Sequence, residues 1–187
     1  DITLDGPNDF NGVLNADAND ITLNDINSLE LGDVTADGVL TVTTGDDLLL
    51  SGDVSADSLD LEATNGSISQ GADSSLTVVT GPSDLVAGTD ITLDGPNDFN
   101  GVLNADANDI TLNDINSLEL GDVTADGVLT VTTGDDLVLS GDVTADSLDL
   151  EATNGSISQG ADSSLTVVTG PSDLVAGTDI TLDGPND

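Results

Sequence analysis

Hydrophobic residues in this chain return at every second position in short bursts: Ile2-Thr3-Leu4, Ile21-Thr22-Leu23, Leu29-Glu30-Leu31, Leu40-Thr41-Val42, Leu59-Asp60-Leu61 and Leu76-Thr77-Val78. Period two is the pattern of a strand with one face buried and the other wet. Apolar residues do not recur at i, i+3 and i+4, and β-branched residues, Gly and Asn dominate the runs, which excludes helices. Between the bursts stand turn formers such as Gly6-Pro7-Asn8-Asp9, Gly45-Asp46-Asp47, Asn65-Gly66 and Gly81-Pro82-Ser83-Asp84.

The nine residues Asp1 to Asp9 recur at Asp90 to Asp98 and again at Asp179 to Asp187, a period of 89. The chain therefore divides into unit 1 (1–89), unit 2 (90–178) and the opening of a third (179–187), read as one continuous structure. The two full units differ only at Leu49 against Val138 and Ser55 against Thr144. A finer period follows the dipeptide Ala-Asp at Ala16-Asp17, Ala36-Asp37, Ala56-Asp57 and Ala72-Asp73. Its first three copies align as Leu14/Val34/Val54 and Ala16/Ala36/Ala56 facing inward, with Asn15/Thr35/Ser55 outward. Stacked coils require such a register, whereas the strands of an immunoglobulin-like sandwich have no reason to repeat one dipeptide. The expected fold is an all-β solenoid of about four three-strand coils per unit, ~22 residues each, with a looped-out segment near Pro82. A right-handed parallel β-helix is the preferred form, because crossovers are overwhelmingly right-handed.

Composition narrows the function. There are 37 Asp and Glu and no Lys, Arg, His, Cys, Met, Trp or Tyr among the 187 residues, for a net charge of -37. Nucleic-acid binding through phosphate neutralisation has no side chain to use. Disulfides, thiol chemistry, imidazole bases and Cys/His zinc sites lack their atoms. No apolar run approaches the ~20 residues that cross a bilayer, so no membrane insertion is expected. With no internal cation, folding brings like charges together, which predicts a raised average carboxyl pKa and stabilisation by salt.

Only carboxylates, hydroxyls and amides remain as candidate chemistry. Asp33 with Asp53, or the adjacent Asp46-Asp47, offer paired carboxylates of the glycosidase kind. Asp beside Gly is more often a turn former, and duplication would repeat an active site in every unit, so no enzyme is expected. Calcium prefers oxygen-rich turns. The candidates are Asp5, Asp9, Asp17, Asn19 and Asp20 with their copies Asp94, Asp98, Asp106, Asn108 and Asp109, although no EF-hand loop or calcium-binding nonapeptide occurs. No cofactor is expected to be required; Ca2+ or diffuse counterions are the candidate ligands. The Asn15/Thr35/Ser55 column suits either sugar binding or a hydrogen-bonded ladder. Thr41-Val42-Thr43 is the only Thr-x-Thr triplet of its unit, too few for an ice-binding face.

The phrases Asp20-Ile21-Thr22-Leu23-Asn24-Asp25, Asn8-Asp9-Phe10-Asn11-Gly12, Ser28-Leu29-Glu30-Leu31-Gly32, Val39-Leu40-Thr41-Val42 and Gly66-Ser67-Ile68-Ser69-Gln70 resemble the repeat regions of filamentous haemagglutinin-type adhesins, large bacterial exoproteins of two-partner secretion. The resemblance implies a right-handed parallel β-helix forming an extracellular shaft. Absent basic residues depart from that family's usual composition. The function expected is a structural segment of a secreted fibre or adhesin stalk, or alternatively a calcium- or carbohydrate-binding repeat module. Its expected partners are further copies of the repeat, in the same or neighbouring chains, and cell-surface or matrix glycans. Neither end departs from the repeat as a cap would, which predicts a segment of a longer array.

Overall fold

The computed structural model describes residues 1–186, and in them every regular element is a β-strand, 19 in all, joined in one parallel sheet. The chain is an all-β solenoid. Each coil carries three strand segments, and each segment hydrogen-bonds to the segments one coil before and one coil after.

The columns can be followed from strand register. On the first side Ile2 pairs with Ile21, Ile21 with Leu40, Leu40 with Leu59 and Leu59 with Ser83. On the second side Leu29 pairs with Leu48, Leu48 with Ile68 and Ile68 with Ile91, and the column runs on through Ile110, Leu129 and Leu148. On the third side Val34, Val54 and Leu76 are stacked. Alternation makes these positions inward, and the interior is a continuous file of buried Leu, Ile, Val and Ala with Phe99 among them. The narrow bore suits these side chains, which explains why aromatic residues are almost missing.

Coil period and unit period do not coincide. Four coils carry the first side from Ile2 to Ser83, which is 81 residues, and eight more reach Ile91, the copy of Ile2, on the second side. Ile180, the next copy, pairs with Ile157 in the column of Leu118 and Leu137, one side further on. A unit is thus four coils and a third. Each unit presents the same surface rotated by one side relative to the last, and three units, 267 residues by the same arithmetic, make 13 whole coils.

The Ala-Asp register holds in part. Ala36 pairs with Ala56, Val34 and Val54 are buried, and Thr35 and Ser55 point outward. Ala16 instead pairs with Val34, and Ala18 takes the place opposite Ala36. The strand Leu14–Ala18 meets both Leu31 and Val34 across a bulge, which moves the first copy by two residues and so keeps its inward phase. Ala72-Asp73 lies in an exposed turn, and Leu76 and Val78 occupy the column of Val54 and Ala56. No looped-out segment exists at Pro82: the longer coil gains two residues at 71–75 and two at 79–82, and Ser83 directly resumes pairing. Both positions that differ between the units, Leu49/Val138 and Ser55/Thr144, lie on the half-exposed outer face, where either side chain is accommodated.

Corners are tight where glycines stack. A Cβ on Gly141 would lie 2.3 Å from the Gly121 carbonyl carbon and 2.6 Å from the Asp122 nitrogen, both backbone atoms that the coil ladder holds in place. Gly141→Ala is therefore expected to lower stability by roughly 2–4 kcal/mol through forced separation of adjacent coils. Gly6→Ala, which meets nothing within 4 Å, should stay within ~1 kcal/mol in the same denaturant titration.

Candidate functional site

Polar side chains at the corners act on the backbone of the neighbouring coil. Asn15 Oδ1 accepts the Asp33 N–H at 2.7 Å, Asp33 Oδ1 accepts the Asp53 N–H at 3.2 Å, and Asp53 Oδ1 accepts both the N–H and the hydroxyl of Ser75 at 3.0 and 2.8 Å. A second ladder runs from Ser28 to Asp47 to Ser67, whose N–H and hydroxyl reach Asp47 Oδ1 at 2.9 and 3.0 Å. The strand ladder is interrupted at each bend, and these oxygens satisfy the N–H groups that the bend would otherwise strand.

This accounts for the paired-carboxylate candidates. Asp33 and Asp53 do stand one coil apart, and each carboxylate is engaged by a backbone N–H of the next coil. Asp47 is engaged by Ser67, and the Asp46 carbonyl accepts the buried Thr44 hydroxyl at 2.8 Å.

The calcium candidates are spread along the corners in the same manner. Asp9 Oδ1 accepts from the amides of Asn11 and Asn27 at 2.9 and 3.2 Å, and Asp98 Oδ1 from Asn100 at 2.8 Å. Asp20 and Asp109 accept the N–H groups of Val39 and Val128 at 3.0 and 2.7 Å. The Asn19 carbonyl accepts from Gly38, and the Asn108 amide donates to Asp90. Asp5, Asp17, Asp94 and Asp106 are exposed. Among the described residues, no three acidic side chains converge as a metal cage would require.

Several polar side chains are buried, and simple inspection of the motifs overlooks them. Asp114 is 1% exposed: its Oδ2 accepts the Phe99 N–H and its Oδ1 the Asn116 N–H, each at 2.7 Å. Burial raises its pKa, the two backbone hydrogen bonds oppose that rise, and the Asp98 charge adds to it. Asn97, fully buried, joins unit to unit. Its amide exchanges hydrogen bonds with Gln70 at 2.7 and 3.1 Å, accepts the Leu76 N–H at 2.9 Å and donates to the Leu93 and Asn113 carbonyls. Thr44 and Thr133 are buried as well, as are Ser74 and Ser163. Parity was the available signal: Ile110, Leu112 and Asp114, or Ile91, Leu93, Asn97 and Phe99, share one phase, so polar members of the inward series are placed in the interior.

Outward carboxylates differ according to their neighbours. Asp60 is stacked directly against Asp84. Partial burial first, then the charges of Asp84 and Glu62, raise its pKa. Asp136 is held below the ordinary value by the N–H and hydroxyl of Ser156. An outer groove is lined by Phe10, Asn27, Glu30, Asp47 and Leu49; Phe10 is half-buried there, whereas its copy Phe99 is buried and pairs with Val78 of the preceding coil.

Four stretches of the chain, residues 18–57, 44–106, 107–146 and 134–187, match the model of a family described as repeats of unknown function, DUF5649. The first and third are copies 89 residues apart, and the second crosses the boundary between units. No curated protein and no solved structure matches the chain.

Carboxylates with raised and with lowered pKa should contribute oppositely as pH changes. A raised folded-state pKa means that protonation favours folding, so the contributions of Asp60 and Asp114 are fully present below the unfolded value and lost as pH rises through the folded one. Asp60→Asn removes a repelling charge without removing a hydrogen bond, and should raise Tm at pH 7 by roughly 1–3 °C while flattening the gain seen on acidification. Asp114→Asn turns one acceptor into a donor facing a backbone N–H, and should cost about 1–3 kcal/mol at pH 7 despite the relieved charge. Asp136 runs the other way, its contribution being present above the unfolded value and lost as pH falls through the folded one. Thermal melts at pH 4.5 and pH 7 check all three.

Proposed function

The chain belongs to the DUF5649 family of repeats of unknown function, and on that footing we propose that it serves as a length of extracellular fibre, the stalk or spacer of a secreted surface protein. The observation that carries this reading is the junction between units. Ile68 pairs with Ile91 and Val78 with Phe99 in the same ladder as coils within a unit, and Gln70 and Asn97 lock across it. Addition of a unit lengthens the solenoid without a hinge, and stiff reach is what such an element supplies.

Carboxylates engaged in holding coils together support a mechanical role for the acidic residues over a catalytic one. High charge and an absence of basic residues keep parallel fibres apart unless counterions screen them. The resemblance to filamentous haemagglutinin-type repeats supports placement outside the cell, at a bacterial surface or in a biofilm matrix, with further repeats as the nearest partners.

Recombinant arrays of two, four and six units test the reading. With coils ~4.8 Å apart, four and a third coils give ~21 Å per unit. Scattering or electron microscopy should show length growing by that increment at constant cross-section; arrays that fold back or collapse into globules would sink the proposal. Melting temperature at neutral pH should climb steadily with NaCl and more steeply with CaCl2. A calcium effect that saturates at a fixed stoichiometry per unit would instead favour the alternative, a calcium-binding repeat module.

A further inference from the structure

One asparagine in each unit stands apart from the rest. Of the seven in unit 1, only Asn65 is followed two positions later by a hydroxyl residue, in Asn65-Gly66-Ser67, and unit 2 repeats it as Asn154-Gly155-Ser156. The pattern Asn-x-Ser/Thr, with x other than Pro, is the acceptor for N-linked sugar transfer. Such a pattern is common enough to arise by chance, so its placement in the fold decides whether it is usable.

Asn65 is exposed at the corner between the first and second sides, and Asn154 at the corner between the second and third. Each stands between glycines of the adjoining coils. Asn65 donates from Nδ2 to the Gly45 carbonyl at 2.8 Å, and a Cβ on Gly88 would come within 2.8 Å of the Asn65 Cα. Asn154 is flanked in the same way by Gly134 and Gly177. No side chain of those flanking residues stands beside the amide, which leaves lateral room for a bulky substituent. The amide keeps one N–H after glycosylation, so the hydrogen bond to the coil before is compatible with a sugar.

We propose that Asn65 and Asn154 are N-glycosylation sites, and that the mismatch between unit and coil winds the resulting glycans around the shaft, one corner per unit. In the transfer, the C1–O bond of a glycosyl phosphate or pyrophosphate donor breaks and the anomeric carbon bonds to Asn Nδ2. The amide proton leaves with the phosphate product. The folded corner itself holds the acceptor closed: Gly66 is buried and the Ser67 hydroxyl is bound to Asp47 Oδ1 at 3.0 Å. Transfer therefore precedes closure of that coil, and folding then fixes the sugar outward. A glycan on each corner in turn would shield a uniformly acidic fibre without occupying the ladder columns. Exposure of the chain to a glycosylation system rests on the secreted-fibre reading.

Protein recovered from its native host tests this by digestion after glutamate, which releases peptides beginning after Glu62 and Glu151, followed by fragmentation mass spectrometry. Sugar mass localised to Asn65 and Asn154 is expected, lost in Ser67→Ala with Ser156→Ala and retained in Ser67→Thr with Ser156→Thr. Unmodified masses, or only the deamidation increment at Asn65-Gly66, overturn the proposal. Sugar on other asparagines, or sugar that persists in the alanine variant, overturns it as well. Comparing culture medium with cell lysate in the same experiment separates the two readings. Protein outside the cell without sugar defeats only the modification, whereas protein confined inside the cell defeats the fibre.

Discussion

Everything in this molecule depends on the parallel backbone ladder that ties each coil to the next. A solenoid has no second layer to bury its inner face against, so each coil relies on its neighbours both for hydrogen bonds and for closure of the core. The ladder also fixes which residues meet. Equivalent positions of successive coils lie a strand spacing apart, so any residue type at a given phase is presented to its own kind along the axis. Inward columns turn that into packing, as in the file of Ile21, Leu40 and Leu59. Outward columns turn it into repeated polar contacts.

The sequence-level repeat and the mechanical repeat answer to different demands. A unit of four coils and a third can be duplicated without a special linker only if all three sides accept the same residues. Ile2, Ile91 and Ile180 start on three different sides and enter the same kind of inward column each time. The sides are consequently interchangeable in the bore, which is why Leu, Ile and Val are used in place of a side-specific aromatic. Interchangeability has one checkpoint, the Gln70–Asn97 exchange. A slip by one residue would turn Asn97 outward, take two hydrogen bonds from the half-buried Gln70 amide and leave the buried Leu76 N–H without its acceptor, and burying a polar group without a partner costs more than a typical hydrogen bond gains.

Much of this was legible in the chain because alternation and repetition both survive translation into structure. Every strand burst read from period two is a strand, and the stacking of Ala36 on Ala56 follows from the shared phrase around them. Less legible was how the phrases align once the coil length varies. Ala16-Asp17 and Ala72-Asp73 look like further copies but differ in the number of residues spent at the corner before them, a quantity set by bulges and turns. The spacing of identical dipeptides hid it. A structural use of the carboxylates was not legible in composition or spacing, because it depends on which corner faces which: Asp20, Asp33, Asp47 and Asp53 point their oxygens at backbone N–H groups of the adjacent coil.

That use of Asp explains how a chain with no basic residue holds so many acids. An N–H donating to a carboxylate contributes about 1.5–3 kcal/mol, while two unit charges one coil apart at the solvated surface repel by about 1 kcal/mol. A single corner carboxylate is therefore favourable, a stacked pair is tolerable, and a longer run accumulates repulsion from second neighbours without gaining further donors. The columns obey that limit. Asn15, Asp33, Asp53 and Ser75 place two acids between neutral residues, and Ser28, Asp47 and Ser67 only one. On the first side Thr41, Asp60, Asp84 and Asn104 again confine the acids to a pair. Asn, Ser and Thr at the flanking positions offer an oxygen or a hydroxyl of similar reach, so they carry the ladder on while breaking the line of charge. Asp60, whose carboxylate has no N–H partner to offset its neighbour, is where the pair begins to cost, and partial burial first, with the Asp84 charge after it, raises its pKa.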